Sequence, residues 1–223
     1  SRQSGHRPST KTPTTVGVRT VATTYCRVST VGSTEVVAMA SDEPRRIMLD
    51  IETLGTQPGA ALLSIAAVEF RPTTSSDATD RILDTFEASV SATSCQEAGL
   101  HVDAETLEWW ADKPNASEQL LGGHELDQVL RDLQLFVDTD EELEVWAKSP
   151  SFDCVLLDAA YRAIGQDGTP WEYWQQRDVR TIVSLPRAPD LPDIGQKHDP
   201  LNDAKQQVAL VAQMLAPLDG GEN

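Results

Sequence analysis

The hexapeptide Ile47-Met48-Leu49-Asp50-Ile51-Glu52 constrains this chain more than any other segment. Four apolar residues in six, followed by the turn signals Gly55 and Pro58, read as a buried strand. Strand geometry puts Asp50 and Glu52, two positions apart, on one face and Ile47, Leu49 and Ile51 on the other. A buried strand that ends in two neighbouring carboxylates poses a problem of charge. The two groups repel, and each is costly to desolvate. Either that end of the strand is solvated, or a divalent cation neutralises both. Hard oxygen ligands of this kind suit Mg²⁺ or Mn²⁺.

The segments that follow supply partners for this strand. Residues 61–70 (ALLSIAAVEF) form a second strand-like run closed by Arg71-Pro72, and residues 82–90 alternate well enough for a third. Together they predict a three-stranded antiparallel meander. Helical spacing then takes over at 103–111 and 125–137, the latter with Leu126, Val129, Leu130, Leu133 and Phe136 on one stripe. A short strand is expected at 143–147, and a helix at 151–164 with Phe152, Val155, Leu156, Ala159, Ala160 and Ala163 as its apolar face. Further helices are expected at 180–185 and at 203–215, where Ala204, Val208, Val211 and Leu215 share a stripe. A meander followed by a crossover and alternating helices and strands predicts an α/β fold with a mixed sheet.

Charge is unevenly distributed. The formal net charge is −17. Residues 1–46 nevertheless carry seven basic side chains against three acidic, leaving 11 basic and 32 acidic among the remaining 177. So acidic a body repels polyanions at long range, which excludes tight, purely electrostatic binding of nucleic acid. It does not exclude a nucleic-acid substrate reached through divalent cations, which require carboxylates at the site itself. The first 34 residues hold 14 Ser or Thr, and no acid appears before Glu35. Residues 1–43 therefore read as a disordered leader, with organellar targeting or upstream extension before Met39 as other readings. The expected domain spans 44–217, with a flexible tail at 218–223. No apolar run approaches the length of a membrane span. Cys26, Cys95 and Cys154 lack zinc-type spacing and cannot all pair, so a reducing, cytoplasmic setting is expected.

Two further acids and a histidine complete the argument. Asp153 falls in the first turn of the helix at 151–164, where the helix dipole alone favours an acid. Asp203 opens the closing helix, where an N-cap role would also explain it. It lies five residues after His198 in His198-Asp199-Pro200-Leu201-Asn202-Asp203. Each has a purely structural explanation when taken singly; together they outline a reaction centre. The order is D-x-E on the first strand, F-D on a middle helix and H-x4-D at the last helix. This order resembles the DEDDh branch of the DnaQ-like 3′→5′ exonucleases, over about residues 46–216. Asp50-Ile51-Glu52-Thr53-Leu54-Gly55, Glu105-Thr106-Leu107-Glu108-Trp109-Trp110, Ser151-Phe152-Asp153 and Trp174-Gln175-Gln176-Arg177-Asp178-Val179-Arg180-Thr181 carry it further. These strings are similar to the DexA and exonuclease VIII-like exonucleases and to the mycobacterial RNase AS.

The resemblance implies a ribonuclease H-like fold, with a mixed five-stranded sheet flanked by helices. It also implies metal-dependent removal of nucleoside 5′-monophosphates from a single-stranded 3′ end, using two divalent cations, Mg²⁺ or Mn²⁺. Asp50 would bridge the two ions, Glu52 and Asp203 would complete the shell on the attacking-water side, and Asp153 would support the leaving-group side. His198 would take the proton of the attacking water, a task that suits an imidazole near neutral pH. Thr53, Leu54, Trp110 and Arg180 are the expected substrate contacts. Leu54 would wedge against the terminal base, one of the adjacent tryptophans would stack on a base, and Arg180 would meet a phosphate. In many relatives an amide side chain precedes the middle-helix Asp, where this chain has Lys148-Ser149-Pro150. Single-stranded DNA is expected as substrate ahead of RNA, and a catalytically silent nucleic-acid-binding module is the reading from another class. Relatives are often homodimers, in which one subunit could supply basic residues to the other's site.

Overall fold

The strand at the centre of the sequence argument is also the centre of the sheet. A computed structural model describes residues 43–77, 80–113, 120, 122–138, 142–189 and 198–216. In it β1 (Arg45–Thr53) pairs antiparallel with β2 (Leu62–Phe70), and β2 antiparallel with β3 (Ile82–Ser89). On its other edge β1 runs parallel to β4 (Leu143–Ala147), and β4 parallel to β5 (Gln176–Asp178). The order β3-β2-β1-β4-β5 is the mixed five-stranded sheet expected.

Helices cover both faces. α1 (Ala92–Glu97), α2 (Ala104–Ala111) and α3 (Leu126–Val137) lie between β3 and β4 in the chain. α4 (Asp153–Ala163) follows β4, while α5 (Val179–Val183) and α6 (Pro200–Leu215) follow β5. Ile47, Leu49 and Ile51 enter the larger core with Leu130 and Leu133 of α3 and Leu156, Leu157 and Ala160 of α4. Met48 turns the other way, with Val68, Phe70 and Trp146, against Val208, Val211 and Ala212 of α6. Each fully buried Val, Leu, Ile, Phe or Met among them contributes about 1.5–3 kcal/mol relative to exposure. The face shared by Met48, Asp50 and Glu52 therefore looks at α6 and changes from apolar to acidic towards the end of β1.

Two elements escaped the periodicity argument. β5 is three residues, Gln176-Arg177-Asp178, too short and polar to alternate. Its place is set by pairing with Val145–Ala147 and by Arg177, whose Nε lies 3.3 Å from Glu144 Oε1 on β4. α1 is a single capped turn and a half, started by Ser91 accepting from the Ser94 N–H at 3.3 Å. Two helices are shorter than expected, with α4 starting at Asp153 and α5 ending at Val183. Contacts divide the chain between Ala40 and Ser41, and every described residue belongs to the second unit. The leader expected over 1–43, apart from residue 43, the tail over 218–223 and Cys26 lie outside the described residues. Cys95 and Cys154 are buried and unpaired. Among the described residues no helix is long and apolar enough to cross a membrane.

Candidate active site

Three elements bring the carboxylates together. β1 contributes Asp50 and Glu52 from the face that looks at α6. α6 begins earlier than its apolar stripe suggested: Asp199 is the N-cap, accepting from the Asn202 N–H at 2.9 Å, and Pro200 occupies the first helical position. This corrects the N-cap alternative for Asp203, which stands one turn inside the helix. Oxygen atoms of Asp50, Glu52 and Asp203 lie within 4.8 Å of one another. Asp153, 4 % exposed, reaches the cluster from the first residue of α4. The parallel ladder between β1 and β4 stops at Met48, so the end of β1 is open on that side. There the Asp153 carboxylate accepts the N–H of Ile51 as well as its own.

The electrostatics follow from this crowding. Burial, then the Asp153 charge, raise the Asp50 carboxyl well above the carboxylate range, against a 2.8 Å hydrogen bond donated by Gln207 Nε2. Burial, then Asp203 and Asp153, push Glu52 up to about 8. Burial pushes Asp153 up to about 7, opposed by its two backbone donors and by the charge of Arg180. Burial raises Asp203 too, against a hydrogen bond from the backbone N–H of His198. Among the described residues no lysine or arginine forms an ion pair with any of the four. The His198 imidazole faces the cluster, its Nδ1 3.9 Å from Glu52 Oε1. A convergent, oxygen-only donor set with surplus negative charge fits divalent cations of the Mg²⁺ or Mn²⁺ type. Asp50, Glu52 and Asp203 would hold one, with Asp153 beside Asp50 available to a second.

Gln207 was missed in the sequence, although it follows Asp203 by four positions and so shares its helix face. Its Nε2 orients Asp50, and its Oε1 is buried with no hydrogen-bond partner among the described residues. Gln207→Leu is expected to weaken Mn²⁺ binding about 10–100-fold, as loss of a group that orients a ligand does. Titration calorimetry checks this, and an unchanged affinity would remove Gln207 from the site.

The expected substrate contacts fare unevenly. Leu54 is 1 % exposed and packs in the larger core, so it offers no wedge to a base. Thr53 spends its hydroxyl on the Gly55 carbonyl at 2.7 Å, at a bulge that re-aims the end of β1. Trp110 is 2 % exposed, and its Nε1 donates to the Thr53 carbonyl at 2.9 Å. Its ring has no free face for stacking, because the helix turn that exposes one tryptophan buries its neighbour. Trp109 is the exposed one, at 42 %. Arg180 is exposed at the start of α5 and close enough to Asp153 to act on its charge. Asp178 caps that helix, its carboxylate accepting the Arg180 backbone N–H at 2.8 Å.

Several solved structures share this fold. The nuclease domain of 3′hExo, a DEDDh family member bound to rAMP, superposes with a TM-score of 0.54 at 14% identity, covering 78% of this chain and 93% of that one. A metal-free E. coli exonuclease I–single-stranded DNA complex gives 0.53 at 13% identity, covering 76% and 39%. Exonuclease I from Methylocaldum szegediense gives 0.51 at 14%, covering 76% and 40%. The chain thus spans about 40% of the exonuclease I chains it matches. A sequence search of curated proteins finds no match. The family model described as the 3′-5′ exoribonuclease Rv2179c-like domain matches residues 45–215 and so takes in all five strands, the four carboxylates and His198. On that match the chain belongs to the Rv2179c-like 3′-5′ exoribonuclease domain family.

Proposed function

We propose that the chain is a metal-dependent 3′→5′ exonuclease that removes nucleoside 5′-monophosphates from single-stranded 3′ ends. The observation that carries this reading is the convergence of Asp50, Glu52, Asp203 and Asp153 from three elements, with His198 facing Glu52. Bound divalent cations supply the charge that stabilises the attacking and leaving oxygens of an in-line displacement at phosphorus. The chain does the rest. The carboxylates fix where that charge sits. His198, through the ring nitrogen that faces the carboxylates, takes the proton of the attacking water. The water oxygen bonds to phosphorus, and the bond to the 3′-oxygen of the preceding nucleotide breaks. Arg180, beside Asp153, is placed to meet a phosphate of the strand.

RNA is the polymer that the family description favours, ahead of the DNA expected from the sequence. The likeness to DexA, exonuclease VIII-like enzymes and RNase AS is consistent with either polymer. The test is a paired digestion of 5′-labelled single-stranded DNA and RNA of one sequence, with Mg²⁺, Mn²⁺ or EDTA. A ladder shortening from the 3′ end, absent in EDTA, is expected, and the faster polymer names the substrate. His198→Ala is expected to slow the ladder about 10²–10⁴-fold, the range for loss of a general base. No cleavage of either polymer in either metal would promote the silent binding module instead. Gel filtration of the same sample would show whether the active form is the homodimer.

A further inference from the structure

The His198 backbone N–H donates to the Asp203 carboxylate, but among the described residues no hydrogen bond reaches its ring. Its backbone sits in the left-handed region at φ 63°, directly before the Asp199 N-cap of α6. Its Nδ1, 3.9 Å from Glu52 Oε1, is beyond hydrogen-bond length. What meets the imidazole is aromatic. Trp109 crosses it edge to face, with centroids 4.8 Å apart and planes at 88°, and Trp110 stands at 6.3 Å and 79°. The two indoles are themselves perpendicular, 5.0 Å apart. All three distances lie in the range where T-shaped ring pairs attract. Lys113 covers the Trp109 ring, its Nζ 3.5 Å from the centroid.

This aromatic cluster is anchored to the carboxylate strand. Trp110 Nε1 donates to the Thr53 carbonyl at 2.9 Å, and the Asp103 N–H at the start of α2 donates to the Leu54 carbonyl at 2.8 Å. Thr53 and Leu54 directly follow Glu52. Both ends of α2 are therefore fastened to the residues that end the metal strand. We propose that Trp109 and Trp110 form a bracket that orients the His198 imidazole against Glu52, with Trp109 as its positioning residue. The inference rests on the exonuclease reading above. An indole edge or face orients the ring without a strong hydrogen bond to its nitrogens, which leaves them free for proton transfer. α2 is thus tied to the residues that directly follow Glu52, so the bracket is positioned relative to that carboxylate. Proton transfer falls steeply with misplacement of the base, so a loose imidazole slows the reaction without weakening substrate binding.

The test is a double-mutant cycle on the full chain. Trp109→Ala is expected to lower kcat about 10–100-fold with KM within about twofold of the wild type, while Trp109→Phe recovers most of the loss. In a His198→Ala background, Trp109→Ala is expected to lower the rate no further. A second readout does not need activity. The His198 ring protons, assigned by their disappearance in His198→Ala, are expected to show ring-current shifts that collapse in Trp109→Ala. A raised KM with unchanged kcat would overturn the proposal and make Trp109 a stacking platform for substrate. Equal losses in both backgrounds, or unmoved ring-proton resonances, would overturn it too. A wild type inactive on both polymers would sink the exonuclease reading, and the resonances would still decide the bracket.

Discussion

Asp50→Asn is expected to abolish measurable exonuclease activity while making the metal-free protein more stable. The substitution keeps the shape of the side chain and an oxygen to accept the 2.8 Å hydrogen bond from Gln207 Nε2. It removes the charge nearest the centre of the cluster. Asp50 is the carboxylate on which Asp153, Glu52 and Asp203 all act, so its loss would affect both of the metal positions proposed above. Several kcal/mol of transition-state stabilisation come from ions so held, which corresponds to a fall in kcat of about 10³-fold or more. Stability moves the other way. Burial and three neighbouring acids disfavour ionised Asp50, and asparagine escapes both effects. Each kcal/mol recovered raises the melting temperature of a domain this size by about 2–4 °C. The gain should grow with pH, because at lower pH the aspartic acid is itself neutral. Melting in EDTA at pH 6 and pH 9, beside a digestion assay, measures both effects. Activity within tenfold of the wild type would show that the cluster is not the reaction centre. A destabilised variant at pH 9 would show that repulsion is not what the cations relieve.

The contrast between activity and stability explains why the site was legible in the sequence. A run such as Ile47–Glu52 has no packing reason to carry two acids on the face that Met48 shows to be buried. Carboxylates that weaken the fold stand out against a core pattern that strengthens it. Spacing also placed Asp153 at a helix start, where it stands, and Asp203 at another, whereas Asp203 lies one turn inside α6. What sequence could not supply was which side of a helix faces the strand. Trp109 and Trp110 differ by one position, and only the packing of α2 against Thr53 decides which is core. Leu54 was misplaced for a related reason. The resemblance made it a wedge against the terminal base, but its N–H and carbonyl pair with Ala61 and Asp103 and its side chain packs in the larger core. Gln207 carries no charge and sits among Val208 and Ala204, so nothing in composition distinguishes it from an ordinary helix residue. β5 was invisible because its partner, β4, defines it rather than any period of its own.

The second large effect is on the metal-free protein and has a definite sign. Glu52 is raised from 4.5 to about 8 and Asp153 from 3.8 to about 7, burial being the first cause of each. Between roughly pH 4 and pH 8 the folded protein therefore holds protons that the unfolded chain has released. Stability must fall as pH rises through that window. Its full value is present below the unfolded titration and is lost through about 7 to 8. A shift of about three pH units corresponds to on the order of 4 kcal/mol for one group. Protonating one member of the cluster relieves the other, so the pair contributes less than twice that. Divalent cations replace those protons and reverse the loss. The melting-temperature gain from Mg²⁺ or Mn²⁺ over EDTA is thus expected to be near zero at pH 5 and about 10 °C or more at pH 8.5. Binding near pH 7 should release protons, seen as a dependence of the calorimetric enthalpy on the ionisation heat of the buffer. Taking the difference between metal and EDTA at each pH cancels the titration of remote ion pairs such as Arg45–Glu69, 2.8 Å apart on β1 and β2. A gain of equal size at pH 5.5 and pH 8.5, with no proton release, would mean that the cations bind elsewhere.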